Sequence, residues 1–483
     1  MEIVVILLAL FFLMFVAYRG YSVILFAPIA ALFAVLLTNP AHVLPFYSEI
    51  FMYKMVDFIK LYFPVFLLGA IFGKIIEMSG LAKTIAQTII QVVGEKRAIL
   101  ATVLMCGILT YSGVSLFVVA FAVFPFAAQL FREANIPKRL IPATITLGAS
   151  TFTMDSLPGS PQIQNVIPTT FFKTDIYAAP ILGIIGGIFI LTTCMIYLES
   201  RRRKLQKAGE GYLDLKDAQE EMAATTELAI DKQSISLEHP IKASQRLLAF
   251  LPLILVGVTN KFFTSAIPKW YPNGFDFQSI GLSTFQNVDI SKVVGIWSVE
   301  IALTIGIAST ILLNWTRIKT EFKTGFKTGL NVSIAGALLA VMNVGSEYGF
   351  GAVISSLPGF NAVRDGISSI FTHPLINGAV TTTILAGITG SASGGMGIAL
   401  SVMADKYIQL ADQFNIPLEV MHRVVSMAAG GMDSLPHNGA VITLLAITGL
   451  THRQSYRDIF AITIIKTLAV FFVIGLYSLT GIV

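Results

Sequence analysis

Charged residues are scarce in this chain of 483 residues: only 13% are Asp, Glu, Lys or Arg, against about 25% in an average soluble domain. Hydrophobic residues make up 55% of the sequence. So few charges cannot cover that much apolar surface in water, which excludes a water-soluble fold of this length. Apolar runs of about 20 residues, long enough to span the hydrocarbon layer, recur from end to end. The composition therefore predicts an all-α, polytopic membrane protein.

Cysteine and histidine are also rare, and their positions exclude several kinds of site. The two cysteines, Cys106 and Cys194, both lie in apolar stretches, which is typical of small core residues. No pair among the six histidines has metal-ligand spacing, and no Gly-Lys-Ser/Thr phosphate-binding loop is present. We therefore expect no enzyme, no metal site and no cofactor. The net charge of +5 forms no basic patch with interleaved aromatics, so we expect a lipid bilayer and a small solute as partners, and no nucleic acid.

The pentapeptide Met-Asp-Ser-Leu-Pro occurs twice, at Met154 to Pro158 and at Met432 to Pro436. Each copy interrupts an apolar stretch and follows an Asn-Ile-Pro tripeptide, at 135–137 and at 415–417. Because the two copies lie in different halves of the chain, they indicate a duplication of half the protein. An acid and a proline inside a hydrophobic helix, at matching places in two halves, are typical of a transporter binding site.

The basic loops predict the topology through the positive-inside rule. The polar stretch 199–246 opens with a run of arginines and is predicted to be a cytoplasmic linker. The stretch 98–131 is apolar but has basic residues at both ends. Both of its ends then lie on the cytoplasmic side, so we predict a re-entrant hairpin with its tip at 110–115. Non-helical backbone at that depth is tolerated where it is buried in protein or lines a cavity.

The second half repeats this pattern in the opposite orientation. We predict a second re-entrant hairpin at 374–410 with its tip at 390–395, and a broken helix in each half, at 138–168 and at 418–450. The expected fold has about ten transmembrane crossings, two re-entrant hairpins and two broken helices, arranged as two inverted repeats with both termini external. The predicted division is into N-terminal scaffold spans at 1–56, a first repeat at 57–198, the linker at 199–246, central scaffold spans at 247–315 and a second repeat at 330–483.

Hydroxyls, amides and glycines at the hairpin tips and helix breaks are the expected substrate-binding groups. They suit a small hydroxylated or carboxylated solute, whose anion could bind to backbone amides without an arginine. A helix is expected to restart behind each proline. Its N-cap is expected to be Asp155 or Ser156 in the first half and Asp433 or Ser434 in the second. The predicted substrate-binding residues are Ser112, Gly113, Ser115, Ser156, Ser160, Gln162, Asn165, Ser391, Ser393, Gly394, Ser434 and Asn438.

Three titratable residues at the breaks, Asp155, Asp433 and His437, are the candidates for ion coupling. A buried carboxylate pairs with a cation, coordinates an ion or takes up a proton. We expect a proton as the coupling ion and leave sodium open. The alternative is that both aspartates only cap helices and that His437 packs at the break. The favoured role of Glu347 is a structural hydrogen bond, and a role in ion coupling is the less favoured alternative. Lys466 is expected to lie buried against a partner.

The stretches 157–172 and 430–456 resemble the gluconate permease (GntP) family, and most of all its D-β-hydroxybutyrate permease branch. The resemblance implies a proton-coupled symporter for small organic acids in the bacterial inner membrane. It also implies the architecture of the ion transporter superfamily and a homodimer that works as an elevator. We therefore expect proton-coupled uptake of a hydroxy-monocarboxylate. The alternatives are a sodium-coupled di- or tricarboxylate carrier of the same architecture and, less favoured, a passive anion channel.

Overall fold

The computed structural model describes residues 2–19, 21–94, 97–114, 116–212, 243–282, 284, 287–324, 326–360, 371–389, 391–436 and 438–483. These residues are mainly helical and form no β-sheet among themselves, only two isolated bridges near the external loop. Ser115 and His437, two of the predicted site residues, lie outside the described residues, and so does most of the predicted linker.

The helices of the first half alternate between long spans and short pieces. They are α1 (Glu2–Tyr18), α2 (Val23–Thr38), α3 (Tyr53–Met78), α4 (Leu81–Val93), α5 (Ala98–Tyr111), α6 (Leu116–Glu133), α7 (Ile141–Ala149), α8 (Phe152–Asp155), α9 (Ile163–Phe172) and α10 (Pro180–Lys207).

The second half begins after the linker. Its helices are α11 (Ala243–Trp270), α12 (Ile290–Leu313), α13 (Trp315–Thr324), α14 (Phe326–Ser355), α15 (Pro374–Thr389), α16 (Ala392–Gln413), α17 (Leu418–Gly430), a 3₁₀ turn (Gly431–Ser434), α18 (Gly439–Thr448) and α19 (His452–Thr480).

Six helical segments of the described chain are long and apolar enough to cross a membrane: Pro40–Met78, which contains α3, then Pro180–Lys207, Arg246–Trp270, Ile290–Leu313, Lys327–Ser355 and His452–Thr480. Shorter apolar helices lie at Val4–Leu13, Val23–Thr38, Leu81–Val93 and Ala98–Tyr111, and the count of ten crossings stays a prediction. The prediction of an all-α polytopic membrane fold is confirmed.

The last helices of the two halves run in opposite directions, as the predicted inverted repeat requires. Helices α10 and α19 are each the last helix of their half and pack against each other. The Phe189 ring stacks on Phe472 at a centroid distance of 4.4 Å. Further along α10, Arg201 bonds to Asp458, which comes earlier in α19. Residue numbers therefore increase along α10 in the direction in which they decrease along α19, so the two helices are antiparallel.

Packing between the halves is reciprocal, as it is across a two-fold axis. Helix α9 contacts α16 and α17 of the second half, while its counterpart α18 contacts α6 and α7 of the first. The turn before each broken helix is also duplicated: Asn135 and Asn415 have left-handed φ values of 47° and 53°. The amide of the following residue, Ile136 or Ile416, donates to a carbonyl five residues back at 2.8 Å in both cases.

Each broken helix stops at its Met-Asp-Ser-Leu-Pro motif, but the expected N-caps are wrong. Asp155 is the last residue of α8, and the chain turns through Gly159 at φ 84° before α9 begins at Ile163. In the second half the Asn438 side chain accepts the Ala440 amide at 2.7 Å and so caps the restarting helix. The prolines and the following residues keep the chain non-helical for several residues, so the aspartates are too early to cap the next helix. We call residues 156–162 break 1 and residues 435–438 break 2.

Candidate substrate and ion-coupling site

The tip of the first hairpin is fastened to break 1. The Gln162 side-chain amide donates to the carbonyls of Thr110, at 2.6 Å, and Val114, at 3.1 Å. The Tyr111 hydroxyl donates to the Pro158 carbonyl at 2.6 Å. These bonds satisfy backbone groups that the hairpin turn leaves without helical partners. The first tip and the first break therefore form one polar unit, as the sequence predicts.

Asp433 joins the second tip, the second break and the first half of the chain. Its Oδ1 accepts the Ala392 amide at 2.9 Å and the Asn438 side-chain amide at 3.3 Å. Its Oδ2 accepts the Gln164 side-chain amide, from α9, at 3.1 Å. Asp433 thus caps the hairpin helix α16 and not its own broken helix. All three donors are neutral.

Asp155 is fully buried and has a cationic partner from the last helix. The Lys466 ammonium lies 2.5 Å from Asp155 Oδ2 and donates to the Ser150 carbonyl at 2.9 Å. The Ser156 hydroxyl donates to Asp155 Oδ1 at 2.9 Å. A buried carboxylate with a buried ammonium carries no net charge, so this pair is electrostatically complete. It crosses from α8 of the first half to α19 of the second.

Arg423 of α17 is a site residue that the sequence interpretation did not include. It is fully buried, and its guanidinium donates to the Asp155 carbonyl at 2.9 Å, the Asn165 side-chain oxygen at 2.9 Å and the Ala178 carbonyl at 2.7 Å. Ser426, one turn on, donates to the Asp155 carbonyl at 3.0 Å. A charged residue in the middle of an apolar stretch was the available signal. Arg423 binds the C-terminal end of α8, where backbone carbonyls have no helical donor.

Several predicted substrate-binding hydroxyls bond within the protein. The Ser112 hydroxyl donates to the Ile108 carbonyl at 2.6 Å, and Ser160 donates to the Thr153 carbonyl at 2.7 Å. The Ser434 hydroxyl lies 2.6 Å from that of Thr463. These three side chains stabilise the tip and the breaks in this arrangement.

The remaining predicted residues lie at the second tip and in α9. Ser391 accepts the Gly394 amide at 3.1 Å as the N-cap of α16, with the Ser393 hydroxyl 3.4 Å away. Asn165 donates to the Ser160 carbonyl at 2.9 Å. Gly113 has φ 95° and turns the first tip. The structure brings Ser391, Asn438 and Asp433 together at the second tip, and Ser112, Gly113 and Gln162 at the first.

The space beside Asp433 is small. A cavity of about 10 Å³ is lined by Asp433, Thr146, Ser150 and Thr443 together with apolar side chains. That volume is about the minimum for one water molecule, roughly 10–15 Å³. An organic anion can enter only if a hairpin tip or a helix moves.

The chain matches a known protein family over most of its length. The family model described as GntP family permease matches residues 62–480. The chain is 66% identical to the "Uncharacterized transporter YxjC" of Bacillus subtilis (strain 168), over 483 residues and 100% of both chains. It also resembles the crystal structure of the Alcanivorax borkumensis YdaH transporter, with a TM-score of 0.45 and 13% identity over 89% of this chain and 88% of that one. The chain belongs to the GntP permease family and is a multi-pass membrane transporter, not an enzyme.

Proposed function

We propose that this secondary transporter imports a small hydroxy-monocarboxylate, of the size of 3-hydroxybutyrate or gluconate, together with a proton across the bacterial inner membrane. Asp433 is the proposed proton acceptor. The observation that carries the proposal is the different neutralisation of the two break aspartates: Asp155 has the Lys466 ammonium, whereas Asp433 has three neutral donors.

A proton is the simplest partner for Asp433. A buried carboxylate without its own cation is costly in a low-dielectric interior, and protonation removes that cost. Gln164 supports this assignment, because its Oε1 is buried and accepts no hydrogen bond from any described residue. A protonated Asp433 could donate to that oxygen after a flip of the amide, so the proton would gain an acceptor.

The polar groups around the breaks favour a hydroxy acid with a single carboxylate. Thr146, Ser150 and Thr443 line the cavity beside Asp433 and present hydroxyls, while the hairpin tips add Ser391 and Ser393. Hydroxyls and amides bind a hydroxylated chain through neutral hydrogen bonds. A di- or tricarboxylate would need further positive charge, and the two buried cations of the site, Lys466 and Arg423, already bind protein oxygens.

An elevator movement is the proposed transport step. Helices α1, α2, α3, α11, α12 and α14 pack mainly against one another, and we call them the framework group. The hairpins, the broken helices, α10 and α19 pack into a second group, which we call the core group. The two groups meet along a limited set of helix pairs, such as α14 with α16 and α9 with α12. We propose that the core group moves against the framework group, with two copies of the chain forming a homodimer through the framework group.

Asp433→Asn should abolish proton-driven accumulation but preserve exchange. In sodium-free proteoliposomes with an alkaline interior, a difference of one pH unit supports roughly tenfold accumulation for one proton per substrate. The asparagine mimics the protonated carboxyl, so exchange of labelled for unlabelled hydroxy acid continues while accumulation falls to equilibrium. Asp405→Asn, an exposed aspartate of α16, is the matched control. Uptake that needs sodium and ignores the pH gradient would instead support the sodium-coupled carrier, and unitary currents would support a channel.

Single cysteines at the two tips should report opposite sides of the membrane. We expect Ser112→Cys and Ser393→Cys to react with an impermeant maleimide from different sides, with reactivity that changes when substrate is added. The native Cys106 and Cys194 are buried, so their background labelling is expected to be low. Labelling of both tips from one side in every condition would contradict the re-entrant, inverted arrangement of the hairpins.

A further inference from the structure

Glu347 of α14 is a buried carboxyl at the tip of the second hairpin. It is 3% exposed, and its Oε2 accepts no hydrogen bond from any described residue. The Ser391 hydroxyl lies near the carboxylate, since both border the same point beside Gly394. Gly394 is in direct contact with it, because a Cβ at that position would overlap the Glu347 carboxylate. The carboxylate therefore lies against the first turn of α16.

Asp433 approaches the same turn from the core side. Its Oδ1 accepts the Ala392 amide at 2.9 Å, and its charge acts on Glu347. Residues 391–394 thus lie between two buried carboxyls. Lys466 also acts on Asp433, but its ion pair is with Asp155.

The helices packed against Glu347 add no buried charge among the described residues. Helix α2 contains no charged residue, and the first charges of α16 are Asp405 and Lys406, more than two turns along from Ser391. Among the charged residues of α3 and the preceding π-helical turn, Glu49, Asp57, Lys60 and Glu77 are exposed, whereas Lys54 and Lys74 are half-buried, Lys74 in an ion pair with Glu77. Two buried carboxyls that close together, with no cation of their own, cannot both be ionised without a large repulsive cost.

We propose that Glu347 and Asp433 form a proton-sharing pair across the second hairpin tip, and that this pair links proton binding to movement of the hairpin. The inference rests on the proposed proton coupling and adds a second carrier residue to it. With one shared proton the pair holds the tip between α14 and break 2. When that proton leaves, two adjacent carboxylates repel and the tip is released.

The position of Glu347 links proton binding to the relative movement of the two helix groups. Helix α14 belongs to the framework group, whereas Ser391, Gly394 and Asp433 belong to the core group. Any sliding of one group past the other separates the two carboxyls. The two carboxyls act on each other only while both lie against residues 391–394, so binding of one proton in common is confined to one position of the core group.

Glu347→Gln tests the pair, since it keeps the shape of the side chain but cannot release a proton. Under a gradient of one pH unit we expect accumulation to fall about tenfold, to equilibrium, and substrate exchange to lose its dependence on pH. Glu300→Gln, in the half-buried part of α12, is the matched control and should behave as the wild type. A purely structural role for Glu347 would leave both the accumulation ratio and the pH profile unchanged, and that outcome overturns the inference.

The outcomes separate this inference from the proposed function. If wild-type uptake follows the pH gradient and Asp433→Asn is uncoupled while Glu347→Gln is normal, only the pair is refuted. If wild-type uptake ignores the pH gradient, both are refuted. Should Glu347→Gln fail to fold, infrared spectra of the purified wild type and of Asp433→Asn remain decisive: the pair requires a protonated buried carboxyl whose titration moves to lower pH in Asp433→Asn, because the neighbouring negative charge is gone. A spectrum without that carboxyl band contradicts the pair.

Discussion

Lys466→Met will destabilise the protein by about 3–5 kcal/mol, because it leaves the Asp155 carboxylate buried without its cation. Asp155→Asn should cost a comparable amount, since the Lys466 ammonium then loses its carboxylate. The double variant should recover most of this loss, because a neutral pair of similar volume needs no compensating charge. Thermal unfolding in detergent and the yield of membrane-inserted protein measure these effects.

The double-mutant cycle isolates the pairwise energy, since each single variant removes the same contact. Lys269→Met, at the end of α11 and exposed, is the control for loss of a lysine. Losses that simply add in the double variant would contradict a direct ion pair.

We also expect sodium to stabilise Lys466→Met selectively, because the Asp155 carboxylate and the Ser150 carbonyl are oxygen ligands of the kind that hard cations prefer.

The duplicated motif was a reliable guide to the fold. The hairpin tip at 110–115 and the helix stop at Asp155 follow from local signals, since polar residues with glycine or proline break an apolar run at both places. The inverted orientation followed from basic residues at the ends of the apolar runs, which describe the two sides of a membrane and not the packing of helices. The sequence was therefore sufficient for the helix stops, whereas the orientation of the halves across the membrane stays a prediction.

The partners of the charged side chains could not be predicted in the same way. Asp155, Lys466 and Arg423 come from α8, α19 and α17, and nothing in their spacing says which of them meet. The N-cap prediction failed for a related reason. Asp433 lies three residues before its own proline in sequence, yet its carboxylate reaches a hairpin amide 41 residues earlier in the chain. The sequence favoured a structural hydrogen bond for Glu347, and only its position opposite Asp433 in the structure favours a coupling role.

Arg423→Lys will prevent stable assembly of the core group even though it keeps the charge. The guanidinium satisfies oxygens of Asp155, Asn165 and Ala178 at the same time, in a planar fork that an ammonium cannot reproduce. Each buried acceptor left without a donor costs about 1–3 kcal/mol. We therefore expect a loss of several kcal/mol, seen as low membrane yield and early thermal unfolding. Arg453→Lys, an exposed arginine near the start of α19, should be neutral.

The result for Arg423→Lys also decides between two roles for the buried arginine. If it fixes the end of α8, the variant loses stability, and any protein that does fold transports with a normal KM. If it instead binds the substrate carboxylate after a rearrangement, the variant folds normally and its KM rises while its thermal stability is retained. We expect the first outcome, because every hydrogen bond that the structure assigns to Arg423 goes to an oxygen of the protein's first half. The anion would then bind to neutral hydroxyl and amide donors.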